Sequence, residues 1–466
     1  MKKFNIISYI IMILSFIVLS YGILKLDILP SMYLIIYFSI IGVLSIIFGL
    51  ITFLNKNKII RWIITILLIL ISILSFVVSF VYLDKTNDFF ENINEVTEHS
   101  TFYLISLKDN KYKNISELKD KSIGVSSNVG KDVIDSLKSK VDFKLVKYDN
   151  LFDLYNDFLE GKVDCIYVES NIKRLFEEMN SDFSDKVDII EEITVKSIIE
   201  DKKRKEEEAK LKDTINVYIS GIDTYGAIDT VSRSDVNIIM SINQKKKKIV
   251  LTSIPRDYYV QLHGTTGSKD KLTHAGIYGI NMSVQTIEDL LNIDIDYYVR
   301  VNFDTLVNVI DSIGGIDVYS DTTFSGWGQS YVQGYNHMDG KKALVFCRLR
   351  KMLAGGDRDR GRHQQAVITA IVEKVTSSKV LLSSYGDILS SLSSSFQSDI
   401  DDSLIKDFVK EQLKNMSSWE IKSISLDGSG MYTTSTYSMP GWNLYVMVPN
   451  EETVLNAQYE INSLNN

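Results

Sequence analysis

The chain predicts an α/β protein carried on a membrane anchor, and three observations support that expectation. Long apolar runs fill the N-terminal part up to Leu83, each reaching the roughly 20 residues that cross a bilayer. Beyond them, short β-rich runs alternate with segments of helical spacing, which is α/β wiring. A nearly all-charged stretch, "EDKKRKEEEAKLKD" (200–213), then divides that outer part in two. A length of 466 residues allows two or three domains, each able to bury a core. The expected units are a three-helix anchor at 1–84, a small α/β domain at 85–199, a charged helical linker at 200–213 and a larger α/β domain at 214–466. Within the last, a core at 214–376 is completed by 377–466.

The three apolar runs are Phe4 to Leu24, Leu29 to Leu54 and Ile59 to Leu83. The first starts directly after "MKK", as a signal peptide would, but no small-residue cleavage site follows and two further spans come at once. Lys2 and Lys3 precede the first run, and Lys56, Lys58 and Arg61 separate the second from the third. The loop "KLDILPS" between the first two carries a single lysine. Positive-inside counting therefore predicts a multi-pass membrane protein with a cytoplasmic N-terminus and everything after Leu83 outside. Cys165 and Cys347 fall in different expected domains and form neither a disulfide ladder nor a metal-ligand pattern. The formal net charge is −8 and the linker's acids balance its bases, so no nucleic-acid partner is expected.

In the first outer domain "KSIGVSS" (121–127) and "KVDCIYVE" (162–169) are β-rich, while "KDVIDSLKS" and "LFDLYNDFLEG" have helical spacing. Parallel strands are expected here. Over about a hundred residues this wiring resembles one lobe of the periplasmic solute-binding fold. Gly124 and Gly130 bracket the first helix start, where they either approach a ligand's anion or serve a turn and ordinary helix packing.

From Thr214 the alternation resumes. "INVYISG", "DVNIIMSIN" and "KKIVLTSIP" are β-branched strands, with the "NQKKKK" (243–248) turn joining the last two. "GINMSVQTIEDLLN" is an amphipathic helix, "IDYYVRVNF" a strand, "DTLVNVIDSIGG" a helix closed by glycines and "GIDVYSD" a strand. "RHQQAVITAIVEKV" is a helix with Ala366, Ile368, Ile371 and Val372 on one side. The last ninety residues add Ser-rich helical segments, the strands "WEIKSISL" and "NLYVMVP", and a final helix.

Charged residues gather where strands end. Asp223 follows the first strand, Arg233 and Asp235 precede the second, Arg256 and Asp257 end the third, and Lys271 and His274 enter a helix. Taken singly, such Arg–Asp pairs read as surface ion pairs. The stretch "CRLRKMLAGGDRDRGRHQQ" (347–365) changes the balance: Arg348, Arg350, Lys351, Arg358, Arg360 and Arg362 crowd around Asp357 and Asp359. Like charges this dense need a counter-anion, and guanidinium forks suit phosphate. Asp223 and Asp235 flank a loop between adjacent strands. Together they suit a hard divalent cation, Mg2+ or Mn2+, completed by phosphate oxygens. Arg348 and Arg350, two apart, would face one way in an extended chain, with "GGDRDRG" folding over as a loop.

The motifs "GIDTYG…SRSDVNIIM", "SIPRDYYV", "DKLTHAGIYG", "YYVRVNF", "IDSIGGIDVY" and "CRLR…GGDRDRGRHQQ" occur in an order that resembles the LytR-CpsA-Psr family from about Thr214 to Val375, with a weaker continuation. The resemblance implies a central mixed sheet flanked by helices. It also implies a membrane-anchored phosphotransferase that moves a glycan phosphate from a polyprenyl-pyrophosphate carrier to a peptidoglycan hydroxyl in a Gram-positive wall. By motif position Asp223 and Asp235 would hold magnesium, and Arg233, Arg256, Arg348, Arg350 and Arg360 would grip the pyrophosphate. Lys271, Arg358, Arg362 and Gln364 complete the expected substrate contacts. Where many members read Arg before the paired glutamines, this chain has His363, with Arg362 beside it. Asp357 and Asp257 are the candidate general bases. A groove for the prenyl tail is expected under "GINMSVQTIEDLL" or near "AVITAIV", patterns that also read as core faces. Two rival functions stay open on sequence alone: a ligand-sensing membrane protein and a lipid-pyrophosphate hydrolase.

Overall fold

A computed structural model describes residues 2–83, 97–127, 129–198, 212–222, 232–350, 355–377, 380, 387–388, 391 and 396–465. The anchor is three helices, α1 (Lys2–Leu26), α2 (Ser31–Leu54) and α3 (Lys58–Val77), the last continuing as a wider helical turn to Leu83. All three are long and apolar enough to span a membrane. Their outward sides expose residues such as Ile10, Ile35, Ile63 and Leu70, as expected of helices solvated by lipid. Inside, Met12, Phe16, Phe48, Ile64 and Leu68 pack together, and Thr65 donates a hydrogen bond to Asn5 across α1 and α3.

The first outer domain runs β1 (Thr97–Leu107), β2 (Ser122–Ser126), α4 (Lys131–Lys138), β3 (Lys144–Tyr148), α5 (Leu151–Leu159), β4 (Cys165–Glu169), α6 (Ser170–Met179) and β5 (Val187–Ile198). Its sheet has the order β3-β2-β4-β1-β5. The expected parallel pairing holds for β3, β2 and β4, whereas β1 and β5 join antiparallel. Polar residues interrupt both of these strands ("TEHSTFYLISL", "VDIIEEITVKSI"), a pattern suited to antiparallel strands with a wet face rather than to a doubly covered parallel sheet. Gly124 serves packing: a Cβ there would lie 2.7 Å from the Leu154 side chain, so a larger residue would push Leu154 of α5 from its seat on β2. The linker helix expected at 200–213 falls outside the described residues except for Lys212 and Asp213, and Lys212 pairs with Asp296 at 2.7 Å.

The second outer domain opens with β6 (Thr214–Ile222), β7 (Ser234–Asn243) and β8 (Lys248–Ser253), followed by α7 (Ile280–Leu291) and β9 (Tyr297–Val301). Helix α8 (Phe303–Ser312) starts at a capping box between Asn302 and Thr305. Then come β10 (Ile316–Ser320), β11 (Gly334–Met338), α9 (Gly340–Arg348), α10 (Asp357–Val375), β12 (Phe396–Ser398), α11 (Asp402–Asn415), β13 (Glu420–Ser425), β14 (Gly428–Thr433), β15 (Leu444–Pro449) and α12 (Glu451–Ser463). The central sheet has the order β12-β9-β6-β7-β8-β13 and is mixed, with β9–β6 and β8–β13 parallel and the other pairs antiparallel. One face is sealed by α7 and α12, whose Ile280, Val284, Ile287, Leu291, Val454, Ala457 and Ile461 pack on Tyr218, Ile239 and Tyr298. The other face is covered by α8, α10 and α11.

Two local expectations change. Helix α10 begins at Asp357, so most of "GGDRDRG" is helical rather than a loop. Gly356 turns the chain at φ +57°, and Asp359 accepts the Gly355 amide at 2.7 Å, so the helix is nucleated early with acids in its first turn. Arg348 likewise closes α9 instead of lying in an extended run.

Contacts join the units. Ile277 and Met439 are buried in the lobe's apolar cluster, and Asn171 donates to the Ile277 carbonyl at 2.9 Å. Helix α11 meets the loop between α1 and α2: Lys410 pairs with Asp27 at 2.7 Å, and the Tyr33 hydroxyl donates to the Leu413 carbonyl at 3.3 Å.

Candidate active site

The site forms where β7, β8 and α10 converge. Register pairs Gly221 with Val236 but Ile222 with Ser234, so Asp235 is the extra residue of a β-bulge. The bulge sends Ser234 inward, to the hydroxyls of Ser220 at 2.8 Å and Tyr218 at 3.1 Å, and frees Asp235 to face the site wall. Arg256, just past β8, donates to Asp235 at 2.6 Å, and the Thr273 hydroxyl donates to the other carboxylate oxygen at 3.4 Å. Behind Arg256, the buried Asp257 accepts from Lys271 at 2.9 Å and lies 3.8 Å from the Arg256 Nε. Asp257 and Lys271 thus steady Arg256 from behind and line neither cavity described next.

Two hollows meet here. A polar cleft of about 220 Å³ is walled by Arg256, Arg358, Arg360, Arg362, Asp427 and Met447 among others. An apolar cavity of about 710 Å³ runs beneath the sheet, between Ile219, Val236, Met240, Val299 and Val301 on one side and Val367, Ile368, Ile371 and Val372 of α10 on the other. Asp235, Arg256, Arg360 and Gln364 belong to both. Of the two places expected for an apolar groove, "AVITAIV" borders this cavity, whereas the α7 face is solid core.

The remaining candidates distribute around the junction. Arg348 and Arg350 line the apolar cavity near its mouth, the Arg348 guanidinium lying 4.1 Å from the Phe303 ring centroid and 5.5 Å from that of Trp327. Arg358 pairs with Asp427 at 2.6 Å, and Arg362 pairs with Asp359. Arg233 is not brought to either wall: it makes a two-point ion pair with Glu178 of α6, at 2.6 and 3.0 Å. Asp223 and the side chain of Asp357 lie outside the described residues.

His363 points away from the cleft. Its ring stacks against both Phe324 and Phe346, and burial holds its imidazole below the usual range despite a hydrogen bond with the Phe346 carbonyl. His274 is also structural: its Nδ1 lies 2.7 Å from the buried Asp270. Burial raises the Asp270 carboxyl, but His274, Ser438 and the Lys271 amide outweigh it and hold the group below its ordinary value. Cys347 borders the apolar cavity and Cys165 lies in the lobe core. Both are free, and burial pushes each thiol up to about 12, so they are inert apolar filling.

Several contributors escaped the sequence reading. Gln365, beside Gln364, turns into the sheet and donates to the carbonyls of Leu251 at 2.9 Å and Ile424 at 2.6 Å, pinning α10 to β8 and β13. The "QQ" pair was the available signal: neighbours on a helix face different ways. Phe303, which holds Arg348, ends the quoted motif "YYVRVNF" without being singled out, while Trp327 and Asp427, which hold Arg348 and Arg358, lay outside every motif.

Among the described residues no group of three or more His, Cys, Asp or Glu side chains could hold a metal ion. Asp235 does suit part of a magnesium site. Its carboxylate stands at the junction of cleft and cavity, and a hard cation bound to phosphate needs only one or two carboxylates.

The model for the LytR_cpsA_psr family matches residues 186–453, more than half of the chain. The chain belongs to the LytR-CpsA-Psr family. A second model, NMT1/THI5 like, matches residues 90–225 and so covers the lobe. Among members of the family, the polyisoprenyl-teichoic acid–peptidoglycan teichoic acid transferase TagU of Bacillus anthracis is 33% identical over 210 residues, 45% of this chain and 67% of that protein. The TagU of Enterococcus faecalis is 34% identical over 236 residues, 50% of this chain and 76% of that one. The crystal structure of B. subtilis TagV aligns at 27% identity and a TM-score of 0.45, covering 55% of this chain and 98% of TagV.

Proposed function

We propose that this LytR-CpsA-Psr protein transfers a phosphate-linked wall glycopolymer from a polyprenyl-pyrophosphate carrier to a peptidoglycan hydroxyl outside the membrane. The observation that carries this reading is the shared wall of Asp235, Arg256, Arg360 and Gln364, between an arginine-lined cleft and an apolar cavity. Such a donor has the same two halves, an anionic head and an apolar tail. The named activity of the TagU relatives agrees with it.

In this reading the tail lies along Val301, Ile368 and Ile371, and Arg256 and Arg360 grip the pyrophosphate with Arg348 and Arg350 at the cavity mouth. The acceptor oxygen forms a bond to the glycan-bearing phosphorus while the bond from that phosphorus to the bridging oxygen breaks. The electron pair leaves on polyprenyl phosphate, and the hydroxyl proton is released. Negative charge grows on the bridging oxygen, where guanidinium groups already in place stabilise it without reorganising. Asp235, with Asp223, would hold Mg2+ or Mn2+, which supplies further neutralisation of the phosphate oxygens. The anchor spans the membrane three times with its N-terminus in the cytoplasm. The contact of Asp27 and Tyr33 with α11 supports placing the α1–α2 loop on the same side as the outer domains.

The test is transfer of labelled phosphoglycan from lipid-linked donor to peptidoglycan by the full-length protein in liposomes. Arg256→Ala is expected to lose about a hundredfold or more in rate, the scale of removing one preorganised charge-stabilising donor. Absence of transfer, together with Arg256→Ala supporting wall-polymer attachment in cells as well as the wild type, would overturn the reading.

A further inference from the structure

The β14–β15 hairpin carries a row of residues that leads out of the cleft. Register pairs Gly428 with Pro449, Gly430 with Met447 and Tyr432 with Tyr445, and a period of two puts these six on one face. At the inner end Met447 lines the cleft, and the Gly428 carbonyl accepts from Arg358 at 3.0 Å. At the outer end Tyr432 is 67% exposed and Tyr445 38%, their rings edge to face with centroids 5.7 Å apart. A Cβ on Gly430 would lie 2.7 Å from the Tyr445 ring, so only glycine lets that ring lie across the strand. The result is an exposed pair of aromatic rings on the same face of the hairpin as Met447, which lines the arginine-rich cleft. Pyranose rings recognise such surfaces: their polarised C–H groups meet the negative face of the aromatic ring while their hydroxyls stay in water.

We infer that this face is a subsite for the glycan strand of the acceptor, an inference that rests on the transferase reading above. In-line displacement selects the acceptor over the donor's own polymer. The leaving lipid phosphate departs toward the apolar cavity, so the attacking hydroxyl arrives from the other side of the Asp235–Arg256–Arg360–Gln364 wall. That side is the cleft, and the hairpin forms its lip. Tyr432 and Tyr445 touch sugar rings remote from the reacting phosphorus, which makes them acceptor-binding residues.

Two measurements on the full-length protein in nanodiscs test this. The first is direct binding of soluble glycan fragments from muramidase-digested peptidoglycan, without donor. The wild type binds them, Tyr432→Ala and Tyr445→Ala bind about tenfold more weakly, and Tyr432→Trp keeps its affinity because an aromatic face remains. The second is transfer: the same alanine variants raise the KM for acceptor by about tenfold, and the deficit disappears at saturating acceptor, the signature of lost ground-state binding. Wild-type binding without any transfer would keep the platform and sink the transferase reading. Transfer whose acceptor KM ignores both tyrosines would do the reverse. A rise in the KM for donor instead of acceptor would place the donor's polymer on the hairpin and overturn the assignment.

Discussion

The two faces of the central sheet are built from similar residues and end up as opposites. On one, α7 and α12 press Ile287, Leu291 and Val454 onto Tyr218 and Tyr298, leaving a solid core. On the other, α8 and α10 flank about 710 Å³ of space walled by Val236, Met240, Val299, Val301 and Ile368. Protein interiors pack nearly as tightly as organic crystals, so an apolar void of this size is not a by-product of folding. The difference teaches that amphipathic helices on a sheet do not by themselves distinguish a core from a binding site. What distinguishes them is whether cations gather at the rim. Beside the solid face the charges are already paired, as in His274 with Asp270 and Lys271 with Asp257, while the hollow one is bordered by Arg256, Arg348, Arg350 and Arg360.

Plugging the hollow face is the most severe way to break this contrast. Val301→Trp is expected to cut transfer about a hundredfold by displacing the donor, a loss of the size misplacement causes, while thermal unfolding shows no loss of stability. A variant that transfers normally would show that the cavity is not the tail site. The solid face should respond the other way: Ile287→Ala is expected to cost about 2–5 kcal/mol in urea unfolding while the KM for donor holds. Next in size is pH. Burial depresses the His363 imidazole, so the unfolded chain binds a proton that the folded one resists. Above about pH 6.5, the unperturbed value, His363 is neutral in both states and imposes no penalty. Stability then falls as pH drops through that value toward the depressed folded one, and His363→Phe should flatten the slope in unfolding followed between pH 7 and 5. The smallest effect belongs to Glu178→Gln, which breaks a half-exposed ion pair worth about 0–1 kcal/mol. A melting shift well beyond that would mean that the lobe braces the bulge holding Asp235.

Much of the fold was readable because it depends on local pattern. The β-branched runs at 215–221, 235–243 and 247–255 became β6, β7 and β8, and the charges at their ends singled out Asp235 and Arg256, which the structure brings together. Other features depend on pairings that no local pattern encodes. Arg233 shares a motif with Asp235, yet it turns to Glu178, 55 residues away on another domain. The polar interruptions of β1 and β5 suit antiparallel pairing, but which strands they pair with depends on where the chain enters and leaves the lobe. The side of the sheet that stays hollow depends on how closely α10 approaches, which Gln365 sets through two carbonyls on different strands. The lone His363 looked like a departure within an anion-binding motif, but the neighbouring aromatics Phe324 and Phe346 decide its place.

The stacking of Arg348 on Phe303 and Trp327 has a further consequence. A guanidinium presents flat, weakly hydrated faces to the rings and a fork of donors at its edge, so one side chain serves both oil and anion. Hydrocarbon can slide past such a gatepost, whereas a phosphate catches on it. The depth to which a lipid enters is then fixed by its head, as a collar fixes a pin, and chain length beyond the cavity is free to vary. Carriers that share a pyrophosphate and differ in the number of isoprene units should therefore register at the same point and turn over at similar rates.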